Sequence, residues 1–310
     1  MLGSPVLFLI FNRPDLTEKV FASIRAAKPK QLFLAADGPR KNKPGDYALC
    51  AEARQVVLQH IDWDCDLKTL FRDENLGCKL AVSSAITWFF ENVEEGIILE
   101  DDTLPSESFF TFCSDLLQHY RTDERVSFIG GTCIPNSADH VTASYYFSKL
   151  SVIWGWATWR RVWQNYDITI ADWEPLSKTN WLRNVFYGDE YLAGGFKEMF
   201  NAIYRGYDTW DFQLFFLNLK NNSLNVHPSK NLIKNIGFDQ RATHTHSPTS
   251  YSNQAVQQIS DIVHPLAMAF DYEADKIIFN TVYHYDDKPV TWYRIFYRKV
   301  KYRLKKLTKK

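Results

Sequence analysis

Three consecutive acids, Glu100-Asp101-Asp102, close the apolar run Gly96-Ile97-Ile98-Leu99, and Thr103-Leu104-Pro105 then redirects the chain. Carboxylates this close repel one another, so a position that keeps them together calls for a cation. Oxygen-only donors favour Mg²⁺, Mn²⁺ or Ca²⁺. On a pleated strand end alternate residues share a face, which sets Glu100 and Asp102 on one side and Asp101 on the other. The reading is a divalent ion, Mn²⁺ or Mg²⁺, held at the end of a buried strand and itself holding a diphosphate. The plain alternative is that Asp101 or Asp102 caps a helix starting near Ser106.

Other polar residues also follow apolar runs. Asn12-Arg13-Pro14 comes after the run at 5–11, Asp37-Gly38-Pro39-Arg40 after 31–36, and Arg72 after 67–71. Asn75 and Gly77, followed by Lys79, present backbone N–H groups and one cation of the kind that holds a phosphate. Asp208 and Asp211 read either as candidates for a general base or as the N-cap and third residue of a helix. His244 and His246 lie in a polar, Thr-rich stretch, which favours a phosphate or metal role over a buried structural one. Trp154-Gly155-Trp156 offers aromatic faces to the C–H face of a sugar, with Gly155 allowing close approach; the alternative is plain core. A second acidic cluster, Asp62, Asp64 and Asp66, precedes a strand and lacks the glycine and trailing Glu of a calcium loop, so it reads as a solvated turn.

The elements that must position these residues are legible as well. Apolar runs at 5–11, 31–36, 67–71 and 97–99 suit parallel strands covered on both faces. Helical patterns over 15–27, 47–60 and 79–93 alternate with them. With right-handed crossovers this predicts an α/β, open and mostly parallel sheet flanked by helices. Ligands on such sheets bind beyond the carboxyl ends of the strands, where strand order reverses. That puts Asn12, Arg13, Asp37, Arg72 and the acids on one rim. Neither G-x-G-x-x-G nor G-x-x-x-x-G-K-[ST] occurs. Past Leu104 a helix is predicted over 106–120, a short strand over 126–129, and helices near 189–205 and 208–219. Short strands and a loop follow over 223–250. We expect one catalytic domain over 1–250, with halves 1–104 and 105–250, then a helical extension over 251–310.

Thirty-six basic residues balance 36 acidic ones, so no global charge points to nucleic acid. Residues 291–310, however, hold nine Lys and Arg and no acid. A basic amphipathic helix with interfacial aromatics is expected to sit on an anionic membrane surface; the alternative is a solvated helix. Five cysteines without a C-x-x-C suit a reducing compartment, and no run of 18 apolar residues appears. The expected location is cytoplasmic, peripheral at the inner face of the membrane.

Taken in order, Asn12-Arg13-Pro14, Asp37, Leu99-Glu100-Asp101-Asp102, Gly155-Trp156, Trp210-Asp211 and a late histidine resemble the GT-A glycosyltransferases of the nucleotide-diphospho-sugar transferase superfamily. Within it, the set looks most like the branch containing N-acetylglucosaminyltransferase I. The resemblance implies a Rossmann-like sheet and transfer of a sugar from a nucleotide-diphosphate donor, UDP-linked, to a hydroxyl of a glycan or lipid-linked acceptor. It also implies that Asp102 binds Mn²⁺ directly, with Glu100 and Asp101 near the sugar and ribose. Asp37 would read uracil, Arg13 would approach the nucleotide, and His244 would close over the diphosphate or metal. Asp211 would be the base of an inverting displacement, with Asp208 its alternative. Two rivals stand beside this reading. A sugar-nucleotide pyrophosphorylase wants a Gly-rich loop after the first strand, and Asn12-Arg13-Pro14-Asp15 has no glycine. The other is a carbohydrate-binding or membrane scaffold on the same fold.

Overall fold

In the computed structural model, residues 1–238, 251–252 and 254–283 are described. The first half alternates as expected: β1 (Val6–Ile10), α1 (Pro14–Ala27), β2 (Gln31–Ala36), α2 (Asp46–Gln59), β3 (Asp66–Phe71), α3 (Gly77–Asn92) and β4 (Glu95–Glu100). Then come β5 (Thr103–Pro105), α4 (Glu107–His119), β6 (Val126–Gly130), β7 (Tyr145–Ser148) and β8 (Trp156–Trp159). Three short helices follow, α5 (Arg160–Trp163), α6 (Trp173–Leu176) and α7 (Trp181–Val185). The chain continues through α8 (Glu190–Tyr204), α9 (Asp211–Lys220), β9 (Leu224–Pro228), β10 (Ile233–Asn235) and α10 (Tyr272–Val282).

Eight strands form one sheet in the order β3-β2-β1-β4-β8-β6-β9-β7. The first four are parallel; β8 runs antiparallel to both β4 and β6, β9 is parallel to β6, and β7 closes the edge antiparallel to β9. β1 is apolar and wholly buried, and so is β2 after Gln31, as strands with helices on both faces must be. β3, at the sheet edge, is partly exposed and carries Asp66, Lys68 and Thr69 among its apolar residues. From β1 the chain steps outward through β2 and β3 and then returns to place β4 on the other side of β1. The strand order therefore reverses between β1 and β4, and residues just past these two strands face the crevice where ligands bind such sheets.

Buried side chains fall into two clusters. The larger one wraps the sheet. The second gathers α8, α9 and α10 around Phe196, Phe200, Phe215 and Phe279. α10 buries Ala274, Ile278 and Phe279 there, while residues 254–270 carry no helix and run back along the molecule. Along that path Gln257 N–H donates to the Asn231 carbonyl (2.7 Å) and Ile259 N–H to Ser108 Oγ (3.0 Å). The basic stretch 291–310, with its membrane reading, lies outside the described residues. No helix among the described residues is long and apolar enough to cross a membrane.

Candidate functional site

The acids meet their first partner across the switch point. Arg13, just past β1, donates to both Asp101 and Asp102 (Nη2 to Asp102 Oδ2, 3.0 Å). The Phe11 backbone N–H donates to the other oxygen of Asp101 at 3.3 Å. Asp101 is thus buried with both oxygens engaged. Burial pushes its carboxyl up, and Arg13 holds it back down. Burial likewise works against the charge on Arg13, but Asp101 and Asp102 outweigh it and hold the guanidinium above its ordinary value. For Glu100, desolvation and then the neighbouring Asp102 and Asp101 raise the carboxyl well above the usual range. With Glu100 disfavoured as an anion, one guanidinium still faces the two carboxylates of Asp101 and Asp102, which leaves negative charge in excess, the condition for attracting a further cation.

Asp102 is held from behind. β10 pairs antiparallel with β5, setting Asn235 opposite Thr103, and Ile236 N–H donates to the Asp102 carbonyl at 2.8 Å. Gly237 lies so close that an added Cβ would come within 2.3 Å of Asp102 Oδ2. Thr103 closes the turn through its hydroxyl, which bonds both the N–H and the C=O of Glu100. Glu100 therefore ends β4 and Asp101-Asp102 form the turn after it, not the cap of a following helix: α4 starts at Glu107, and Ser106 precedes it.

The second half of the site comes from α9. Its N-cap is Trp210, with no side-chain cap hydrogen bond, and Asp211 is its first residue. That geometry is not the one in which Asp208 caps the helix and Asp211 fills the third position. Asp211, half-buried, accepts from the Thr209 hydroxyl, while Asp208 is exposed. Asp211 is near enough to Glu100 to help raise its carboxyl. Cys78, in the first turn of α3, marks where the acids converge. Burial raises its thiol first, and then Glu100, Asp211, Asp208 and Asp37. Residues more than a hundred positions apart in the chain are so brought to one rim.

Asp37 is buried, and its carboxylate accepts from Gly38 N (2.9 Å), Asn75 Nδ2 (2.8 Å), Leu76 N (3.0 Å) and Gly77 N (3.2 Å). It anchors the entry to α3 from the end of β2. With two oxygens shared among four donors, no lone pair is left for an imide N–H, so reading uracil does not fall to this side chain. Asn75 donates to Asp37 and to the Gly38 carbonyl, Asn12 donates to Asp46, and Arg72 donates to Ser84 Oγ (2.8 Å). Burial lowers the Arg72 guanidinium, against Asp37. Lys79 is half-buried in the first turn of α3.

The tryptophan segment divides. Trp156 is 1% exposed and stacks between Phe128 (5.4 Å between centroids) and Trp210 (5.9 Å), so it is core and no acceptor platform. Gly155, at φ +59°, has no room for a Cβ because Ile233 would be 2.4 Å away; it serves the packing of β10, not a ligand. Trp154 is half-buried and stacks on Tyr251 at 4.8 Å. His244 lies outside the described residues. Asp62, in the rival acidic cluster, pairs with exposed Arg25, and Asp66 opens β3, at the opposite edge of the sheet.

Sequence reasoning missed Asp46. It is 1% exposed at the start of α2 and accepts from Asn12 and Arg40. Its only signal was a Gly-Asp step at the head of a helical pattern.

Among the described residues, no group of three or more His, Cys, Asp or Glu side chains forms a metal cluster. Asp101 accepts from Arg13 and the Phe11 N–H and Glu100 is disfavoured as an anion, so Asp102 is the carboxylate that would hold a divalent ion there.

No protein-family model matches the chain, and no curated protein sequence matches it. Among solved structures it is similar to S. aureus TarS 1–349, with a TM-score of 0.38 and 9% identity over 53% of this chain and 49% of that one. The chain thus spans about half the length of the TarS structure. It is also similar to HddC from Yersinia pseudotuberculosis (TM-score 0.33, 10% identity, 53% of this chain and 80% of that one). A third likeness is to UDP-glucose pyrophosphorylase complexed with UDP-glucose (0.33, 10%, 53% and 78%).

Proposed function

We propose that the protein is a metal-dependent glycosyltransferase that moves a sugar from a nucleotide-diphosphate donor, UDP-linked, to a hydroxyl of a glycan or lipid-linked acceptor. The observation that carries this is the placement of Asp211 beside the acids past β4: Trp210, which precedes it, stacks on Trp156, whose strand partner Ile98 lies two residues before Glu100. Two functions are needed there, and the residues divide them. Asp102 would hold a divalent ion, Mn²⁺ or Mg²⁺, which would supply positive charge to the departing diphosphate, worth several kcal/mol. Arg13 keeps Asp101 and Asp102 in place by offsetting part of their repulsion. Asp211, hydrogen-bonded to Thr209, accepts the proton of the attacking hydroxyl in an inverting displacement, a contribution of roughly 10²–10⁴ in rate. Of the tryptophan segment, Trp154, stacked on Tyr251, is the residue left to meet the acceptor sugar.

The test is thermal unfolding with UDP, GDP, CMP and dTDP, each with and without Mn²⁺. A ligand at about 100 times its dissociation constant adds roughly 2.7 kcal/mol, a shift of several degrees. Stabilisation by one nucleotide that requires the metal and disappears in Asp102→Ala supports the reading. No stabilisation by any nucleotide overturns it. Pyrophosphate release from a nucleoside triphosphate and a sugar phosphate would instead identify a pyrophosphorylase.

A further inference from the structure

A cleft of about 490 Å³ opens beside the rim, lined by Arg40, Lys41, Asn42, Lys43, Glu74 and Asn75. Two buried carboxylates fix its walls. Asp46 takes Arg40 side-on, Nε to Oδ2 at 2.6 Å and Nη2 to Oδ1 at 2.8 Å, and also accepts from the Arg40 N–H (3.2 Å) and Asn12 Nδ2 (2.8 Å). The guanidinium lies over the Phe11 ring, 5.2 Å from its centroid. Arg40 is therefore held by one edge and one face, yet its side chain is 40% exposed, and Nη1 is not among the atoms Asp46 uses. Across the cleft, Asn75 spends its amide N–H₂ on Asp37 Oδ2 and the Gly38 carbonyl. Since both partners are acceptors, the amide orientation is chemically forced and Oδ1 remains an acceptor.

Burying a carboxylate to hold a surface arginine is poor value for stability alone, because desolvation offsets most of the attraction. It makes sense as preorganisation, since a guanidinium already fixed loses little freedom when a ligand binds. We propose that Arg40 is a nucleotide-binding residue and Asp46 its positioning residue. Arg40 presents an N–H edge to an acceptor oxygen of the nucleotide, and Asn75 presents an amide oxygen to a donor N–H. The oxygen belongs to a base carbonyl or to a phosphate. The inference rests on the nucleotide-sugar reading above.

Titration calorimetry with UDP, uridine and pyrophosphate, in Mn²⁺, tests it on wild type, R40Q, R40K and D46N, alongside the unfolding temperature of each without ligand. R40Q is expected to weaken UDP about 10-fold or more, the scale of one charge-assisted hydrogen bond. R40K keeps the charge against Asp46, and so the fold, but lacks the fork and recovers only part of the affinity. D46N leaves Arg40 charged but loosely held and weakens UDP about 3-fold or more. A parallel loss for uridine puts the contact on the base, and one for pyrophosphate puts it on the phosphates. A merely structural pair would lower the unfolding temperature and leave the affinity of the folded protein alone. UDP affinity within twofold of wild type in R40Q or R40K overturns the inference while leaving the nucleotide-sugar reading intact. A wild type that binds no UDP overturns both.

Discussion

Trp210 lies nearly flat against Trp156, with ring centroids 5.9 Å apart and 21° between their planes. Trp156 belongs to β8, paired with β4 so that it faces Ile98, two residues before Glu100. Trp210 immediately precedes Asp211, and its carbonyl accepts from the Tyr166 hydroxyl at 2.8 Å. The stack thus ties the head of α9 to the sheet beside the acidic triplet. Trp210→Ala is expected to lower kcat at least 10-fold while UDP affinity changes less than twofold, and to destabilise by about 3 kcal/mol. Trp210→Phe should recover much of both. Steady-state kinetics with binding measured in parallel decides it; an equal loss of binding would mean that the stack serves the donor.

Asp211→Asn keeps the size of the side chain and removes the base. The expected outcome is a fall in kcat of roughly 10²–10⁴ with donor binding and unfolding temperature unchanged. Asp208→Asn, at an exposed position, should cost less than fivefold. If the two effects are reversed, Asp208 is the base.

Arg13 is the counter-charge of two carboxylates, one of them buried. Arg13→Met leaves that carboxylate unpaired, for which the expected cost is on the order of 3–5 kcal/mol. Urea denaturation at pH 7 measures it. Mn²⁺ with UDP should restore part of the loss in the variant, because the ion replaces some of the missing charge.

How far the sequence could be read depended on whether a residue's partners were local. β1, β2 and β4 with their intervening helices followed from apolar runs and 3.6-residue periodicity, because strands buried on both faces write themselves as continuous hydrophobic stretches. The acids past β4 were legible for the same reason. Trp156 was not: Trp-Ala-Thr-Trp is buried throughout as β8, and four residues show no period that separates a core strand from an aromatic platform. Gly155 was misread because its close neighbour is Ile233, some eighty residues on. Asp37 looked like a reader of ligands, and only the fold shows that Leu76 and Gly77 saturate it. Asp46 went unnoticed since its partners sit six and thirty-four residues upstream.

Asp275 gives a prediction on pH. On α10, it accepts from Ser148 Oγ and the Lys149 N–H, but burial pushes its carboxyl up to about 7. The native state therefore holds a proton that the unfolded chain releases near pH 4, and stability from this group falls as pH rises between about 4 and 7. Asp275→Asn removes that dependence. Relative to wild type, the variant should gain on the order of a few kcal/mol between pH 5 and pH 8, read from urea midpoints at the two values. A constant difference between the two proteins across that range would refute the assignment.

The β5–β10 ribbon bears on the order in which the molecule forms. β1 to β4 all lie within the first hundred residues and pair with one another, β1 with β2 and β2 with β3 over the shortest separations. The segment that backs Asp102, Ile233 to Gly237, enters the chain about 130 residues later, after β9 in sequence. During synthesis the parallel half can assemble with its acids unbraced, and the binding edge is completed last. Ligand affinity is then a late marker of folding, one that rises only after the secondary structure of the first half is already in place.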